Sequence, residues 1–221
     1  MSSDNFKQQL FDQFARVGKA LCNGNRLELV EYLAQGERSV DELAQVAGLS
    51  TANTSKHLQM MRQVGLVKAR KQGLKVYYQL SGDDVLELFY QLRRVAENHL
   101  AEVDRLVNTY LKSRDELEPL GREELLERAR EGLVTILDVR PPDEYASGHL
   151  PNALNVPIAE LEEQLDQLNP EQEIIAYCRG PHCVLAFEAV ARLRNKGFKA
   201  HRLEDGFPEW KSSGLPVEQS K

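Results

Sequence analysis

The 221-residue chain has three cysteines, one tryptophan and no uninterrupted apolar run approaching the roughly 20 residues a membrane helix requires. So few cysteines exclude a small secreted scaffold stapled by disulfides and predict reactive or inert thiols in a reducing compartment. The N-terminal residues, with Asp4, Lys7 and Asp12, lack the apolar core of a secretory leader. The expectation is therefore a cytoplasmic protein with no membrane association. Acid is missing from one long stretch. No Asp or Glu occurs in residues 43–82, where Lys56, Arg62, Lys68, Arg70, Lys71 and Lys75 all fall. The net charge of −6 hides this asymmetry, since residues 1–80 hold 11 Lys/Arg against 7 Asp/Glu and residues 117–221 hold 12 against 19. A phosphate backbone selects for such a basic, acid-free segment, whereas a membrane-free globular surface does not require one.

Length and a 42% apolar content suit two ordinary domains. In the first, apolar positions Val17, Ala20, Leu21, Leu27, Leu29, Val30 and Leu33 predict helices broken near Asn23-Gly24-Asn25. Ser39-Val40-Asp41-Glu42-Leu43 is a capping-box start for a short helix ending at Gly48. The turn Gly48-Leu49-Ser50 launches a second helix over 51–64, whose polar face offers Thr51, Asn53, Thr54, Ser55, Lys56, His57 and Gln59, with Arg62 one turn on. These side chains reach base edges and phosphates when a helix enters the major groove. Residues 66–80 then read as a β-hairpin with a basic tip, Arg70, Lys71 and Lys75 among its charges: a wing for phosphate or minor-groove contact. A further helix is predicted from 83 to about 113. Its seam, Val85, Phe89, Leu92, Ala96, His99, Val103, Leu106 and Tyr110, repeats every 3.5 residues and calls for a partner helix. His99 reads as a register-setting polar residue on that seam.

The polar segment 112–119 marks a boundary, which gives domains of 1–113 and 114–221. The second half alternates helix and strand: a helix over Arg122–Arg130, an apolar strand at 133–139, short strands at 153–156, 173–177 and 199–203, and helices at 159–168 and 184–196. That pattern is α/β with a parallel sheet and flanking helices, where the first half is mainly α. Between the strand Ile174-Ile175-Ala176-Tyr177 and the last of these helices lies Cys178-Arg179-Gly180-Pro181-His182-Cys183. The loop places a thiol, Cys178, where backbone N–H groups and a helix dipole stabilise a thiolate. Cys22, in an apolar helix of the first half, reads as a small core residue.

Two resemblances follow. Ala20-Leu21, Asn25-Arg26-Leu27, the run from Ser39 to Leu49, Ser55-Lys56-His57-Leu58 and Gly65-Leu66-Val67 resemble the ArsR/SmtB family of dimeric winged helix-turn-helix regulators. The resemblance implies an operator of double-stranded DNA and a homodimer built on the first helix and the 83–113 helix. It departs at the family's Cys-x-Cys metal motif, which here reads Ser39-Val40-Asp41-Glu42-Leu43, so no metal site is assigned. Asp138-Val139-Arg140, Glu144-Tyr145, Gly148-His149-Leu150-Pro151-Asn152-Ala153, Asn155-Val156-Pro157, Tyr177-Cys178-Arg179-Gly180 and Leu203-Glu204-Asp205-Gly206 with Trp210 resemble a single-domain rhodanese. That implies a persulfide on Cys178, with Asp138 and Arg140 as a structural pair under the loop. The loop departs from a C-x-x-G-x-R pattern in having Pro181 and Cys183 at the fourth and sixth places. Loss of that Arg removes a charge-assisted contact to thiosulfate and also disfavours phosphatase chemistry. A second thiol adds a resolving group that can close a disulfide.

The sequence therefore predicts a cytoplasmic repressor that senses or processes a small sulfur species or an oxidant through Cys178 and Cys183, with Arg179 beside them and no bound cofactor. Two alternatives stand: a sulfurtransferase localised by a DNA-binding half, and an arsenite or soft-metal thiolate sensor.

Overall fold

The computed structural model describes residues 3–112 and 119–220. Packing divides the chain into two compact units, Met1–Arg94 and Val95–Lys221. The boundary that the sequence places at 113/114 lies outside the described residues.

In the first unit α1 (Ser3–Leu21) is separated from α2 (Gly24–Ala34) by Asn23, whose side chain accepts from the Arg26 backbone N–H and starts α2. Arg26 closes the other end of that break. Its buried guanidinium donates to the carbonyls of Lys19 (3.1 Å) and Ala20, which α1 itself leaves without partners. Strand β1 (Arg38–Ser39) leads into α3 (Val40–Val46) through the expected capping box between Ser39 and Glu42. Gly48 takes the left-handed conformation (φ +63°) that reverses the chain toward α4 (Thr51–Gln63), capped by Ser50. Strands β2 (Val67–Gln72) and β3 (Lys75–Leu80) pair antiparallel across a tip at Gly73, and β1 adds to β3, an edge too short to be legible in the sequence. Leu29, Val30, Leu43, Leu58 and Met61 are fully buried between these elements. At about 1.5–3 kcal/mol per fully buried side chain, this cluster holds α4 in place against α2 and α3.

The long helix expected over 83–113 is not continuous. α5 (Asp83–His99) stops where Leu100 turns extended (φ −108°, ψ 99°), α6 (Ala101–Leu106) restarts, and a wider π-type turn follows at Val107–Lys112. The 3.5-residue repeat is thus split among three segments, with Val85 to His99 on α5, Val103 and Leu106 on α6 and Tyr110 in the π-type turn. Val85 is buried and Phe89 packs with it into the first unit's own core, while Leu92 and Leu106 stay exposed and His99 lies on the surface. Cys22 is also corrected: it follows the end of α1 and is exposed rather than packed in a core.

The second unit holds a four-stranded parallel sheet of β4 (Val134–Asp138), β5 (Leu154–Asn155), β6 (Glu173–Tyr177) and β7 (Ala200–Arg202), in the order β5-β4-β6-β7. β4 and β6 are the two central strands, and Ile174, Ile175, Ala176 and Tyr177 of β6 are all fully buried. Helices α7 (Arg122–Arg130), α8 (Pro142–Ser147), α9 (Val184–Asn195) and α10 (Phe207–Ser212) complete it. No α-helix forms at 159–168. Leu161 and Leu168 are anchored in the core, and between them the backbone runs through successive turns and one short 3₁₀ segment, Leu165–Gln167. α8 and α10 were missed although both begin with the Pro and acidic residues favoured in a first helical turn.

Candidate functional site

The loop after β6 is closed by a disulfide between Cys178 and Cys183, with Cα atoms 6.1 Å apart. Their positions differ from the sequence expectation. Cys178 sits at the carboxyl end of a central strand, 1% exposed and packed among Leu137, Val139 and Ala186, and it is Cys183 that occupies the N-cap of α9. The Cys178 carbonyl accepts from the Phe207 N–H (3.0 Å), and Cys183 N–H donates to the Gly180 carbonyl (3.1 Å). Gly206 lies directly against the Arg179–Gly180 backbone, leaving no room for a Cβ. The first half of the loop is therefore held against the backbone of Gly206 and Phe207.

Arg179 does not project toward the sulfurs as an anion contact. Its guanidinium makes a two-pronged pair with the buried carboxylate of Glu144, at 2.8–3.0 Å, because an ionised group at that depth needs a charged partner. Glu144 is thus a site residue in its own right. His182, at the loop's surface, places Nε2 2.6 Å from Glu97 Oε1 within the same unit. Beneath the loop, Asp138 and Arg140 form a fully buried ion pair. Burial opposes the Arg140 charge, and the hydrogen bonds and charge of Asp138 outweigh it, raising its pKa. Tyr177 donates to Asp138 Oδ2 (2.5 Å) and accepts from the Leu150 N–H (3.1 Å). Burial and the Asp138 charge push the Tyr177 pKa well above the ordinary phenol value, so it stays a neutral donor and anchors the strand end that carries Cys178.

In the first unit, α4 exposes Thr51, Asn53, Lys56, Gln59 and Arg62, and leaves Ser55 half-buried, its hydroxyl accepting from Gln59. Two residues leave the expected set. Thr54 is completely buried and His57 nearly so, because both fall on the stripe of α4 that carries Leu58 and Met61 inward. Burial, followed by the charges of Arg26 and Lys56, lowers the His57 pKa, which makes it a neutral packing residue rather than a phosphate contact. In the wing, Lys71 and Lys75 are exposed, whereas Arg70 is held by a two-pronged contact with Glu37 and lies 4.7 Å over the Tyr77 ring. Glu37 precedes the acid-free stretch and was invisible as a wing residue. Among the described residues, no group of three or more His, Cys, Asp or Glu side chains is placed to hold a metal ion, and no helix is long and apolar enough to cross a membrane.

Comparison with known proteins agrees with both halves. Residues 23–69 match the bacterial regulatory protein, arsR family, and residues 121–213 match the rhodanese-like domain. The chain is 46% identical over 213 residues to the HTH-type transcriptional regulator Rv0324 of Mycobacterium tuberculosis, an alignment that covers 96% of this chain and 93% of the relative. Over 93 residues it is 33% identical to a Streptomyces lividans protein named "Probable mercury resistance operon repressor", covering 42% of this chain and 74% of the relative. A solved structure described as the homodimeric winged helix-turn-helix DNA-binding domain of a Mycobacterium bovis protein is 45% identical, covers 45% of this chain and 91% of its own, and superposes with a TM-score of 0.42. The near full-length match to a regulator, with a winged helix-turn-helix ahead of a parallel rhodanese sheet, shows that this chain belongs to the ArsR family of HTH-type transcriptional regulators and carries a rhodanese-like domain in its second half.

Proposed function

We propose that the protein is a homodimeric, DNA-binding repressor whose affinity for its operator is set by sulfur chemistry at Cys178 and Cys183. The observation that carries this reading is the bridge across the loop, which pairs a strand-end cysteine with one at a helix start. In the reduced loop the Cys178 thiolate attacks the terminal sulfur of a hydropolysulfide, HSₙ⁻. A Cys178 persulfide forms and HSₙ₋₁⁻ leaves. The Cys183 thiolate then attacks the Cys178 sulfur, closing the disulfide and expelling HS⁻. Because Arg179 is committed to Glu144, the loop offers that side chain to no anionic donor such as thiosulfate. Bridge formation also consumes both thiols after one sulfur, which favours a switch over sustained sulfur transfer. Closing the bridge restrains the loop between strand and helix, and any difference in DNA affinity between the bridged and open states shifts the population accordingly.

The test is operator titration before and after polysulfide exposure. Wild type is expected to change affinity on the order of 5- to 150-fold, the usual range of coupling between sites. Cys178→Ser should lose both the modification and the response, and Cys183→Ser should hold a persulfide on Cys178. Modification at Cys22 alone, with a wild-type response from Cys178→Ser, would remove the loop from sensing.

For the DNA-reading half, exposed Thr51, Asn53 and Gln59 supply base and sugar contacts, and Lys56, Arg62, Lys71 and Lys75 supply phosphate contacts. Lys56→Ala and Lys75→Ala should each reduce the log–log salt slope of binding by about one unit. Arg70→Ala should change it less, since Glu37 already offsets that charge. Equal slopes in wild type and both lysine variants would exclude this surface. The homodimer is assigned to α1, which exposes Phe6, Phe11 and Phe14, and to α5, which exposes Leu88 and Leu92. Leu88→Asp with Leu92→Asp should sediment as a monomer with weak operator binding; an intact dimer would place the interface elsewhere.

A further inference from the structure

The bridge has two chemically different ends, and this decides where it is opened. A thiol that reduces a disulfide approaches in line with the S–S bond, from behind the sulfur it attacks, and the far sulfur leaves as a thiolate. Cys178 is 1% exposed, part of the core cluster that includes Leu137, Val139 and Ala186, with its carbonyl tied to Phe207 and its following peptide pressed against Gly206. Cys183 is half-buried at the mouth of the loop, at the N-cap of α9, and makes no capping hydrogen bond through its side chain. Leaving-group strength pulls the other way, because a thiolate at the N-terminus of α9 is favoured by the helix dipole. That preference is a factor of about two to five. In the bridged loop Cys178 has almost no surface for an attacking thiol to reach, so access decides; the polysulfide step above belongs to the unbridged loop.

We infer that Cys183 is the site at which low-molecular-weight thiols attach to this protein, forming a mixed disulfide there while Cys178 is released unmodified. The inference rests on the Cys178–Cys183 switch proposed above. In the first step RS⁻ attacks Cys183 Sγ: the RS–S(Cys183) bond forms, the S–S bridge breaks, and Cys178 leaves as a thiolate that takes a proton from water. A second RS⁻ attacks the outer sulfur of the adduct, forming RSSR and freeing the Cys183 thiolate. Two thiols are oxidised to one disulfide and the bridge gains two electrons. The persulfide and the S-thiol adduct are thereby carried by different cysteines, Cys178 in the sensing direction and Cys183 in the resetting direction.

Trypsin cleaves after Arg179, which puts the two cysteines on separate peptides. Bridged full-length protein is exposed briefly to 2-mercaptoethanol, quenched with acid, alkylated with iodoacetamide and mapped by mass spectrometry. Sulfite is a second probe, because it leaves a stable S-sulfonate on whichever sulfur it attacks. The expected result with both is at least a tenfold excess of adduct on Cys183, with Cys178 carrying the alkyl group. Adduct on Cys178, or equal labelling of the two, overturns the inference and leaves the sensing role standing. If 2-mercaptoethanol reduces the bridge with no adduct trapped, the sulfite map decides alone. If the two thiols never join under diamide oxidation, both readings fall. A bridge that joins readily and is opened at Cys183, yet leaves operator affinity unchanged, removes only the sensing role.

Discussion

Asp138→Asn should lower the melting temperature of the second unit by well over 10 °C. Both side chains of the Asp138–Arg140 pair are completely buried, and Asp138 accepts from the Arg140 backbone N–H (3.0 Å), its Nε (2.9 Å) and its Nη2 (2.5 Å), as well as from the Tyr177 hydroxyl. Asn keeps the shape and loses the charge, so Arg140 loses its fully buried anion partner among Phe207, Tyr177 and the Gly148 carbonyl, while the charge of Glu144 still acts on it. Removing one partner of a buried pair costs about 3–5 kcal/mol. In a domain of about 100 residues each kcal/mol is worth about 4–8 °C. Calorimetry of the full chain reads this directly. A shift of a degree or two would mean that water reaches the pair. The same substitution leaves one amide oxygen in place of the two that serve Arg140 and Tyr177, which loosens the strand end before Cys178, so the surviving folded protein should also close its bridge more slowly than wild type.

Gly206→Ala should be the next most damaging change, although nothing about the backbone conformation there excludes alanine: φ is −95°, an ordinary value. The obstacle is proximity. A Cβ at Gly206 would stand 2.3 Å from Gly180 N and 2.4 Å from the Arg179 carbonyl carbon, both backbone atoms that no rotamer change can move. The loop or the start of α10 must shift, breaking the Phe207 N–H contact to the Cys178 carbonyl. Overpacking of this kind costs about 1–3 kcal/mol and sometimes more. The expected outcome is a melting temperature lower by on the order of 10 °C, together with faster alkylation of Cys178 in the reduced protein, because the loop no longer seats against its floor. Gly121→Ala is the matched control, since a Cβ there meets nothing closer than 4.0 Å. Equal behaviour of the two variants would show that the loop is not held at Gly206.

Much of both domains is legible in the residues because the relevant interactions are short-range. The Ser39–Glu42 capping box spans four residues, the hairpin turn at Gly73 is set by a left-handed glycine ahead of the β-forming run Val76-Tyr77-Tyr78, and the run before Cys178 is apolar at every position as a central parallel strand demands. The Asp138–Arg140 pair, two residues apart, is implied by the rhodanese resemblance and not by its spacing. Other features are decided by which distant groups the fold brings together. Arg179 and Glu144 are 35 residues apart, and only their meeting turns a candidate anion contact into a buried ion pair. Arg70 is claimed in the same way by Glu37, 33 residues earlier. Thr54 and His57 read as part of a polar face by residue type, yet the packing of Leu58 and Met61 sets the rotation of α4 and turns them inward. Whether a cysteine sits at the floor or at the mouth of its loop depends on where the strand ends and the helix begins, a difference of a few residues that composition does not encode. Hydrogen-bond and turn chemistry act over three or four positions and are written in order along the chain. Burial, charge pairing and access are properties of neighbours in space, and for Cys178 and Cys183 those neighbours exist only once the sheet has formed.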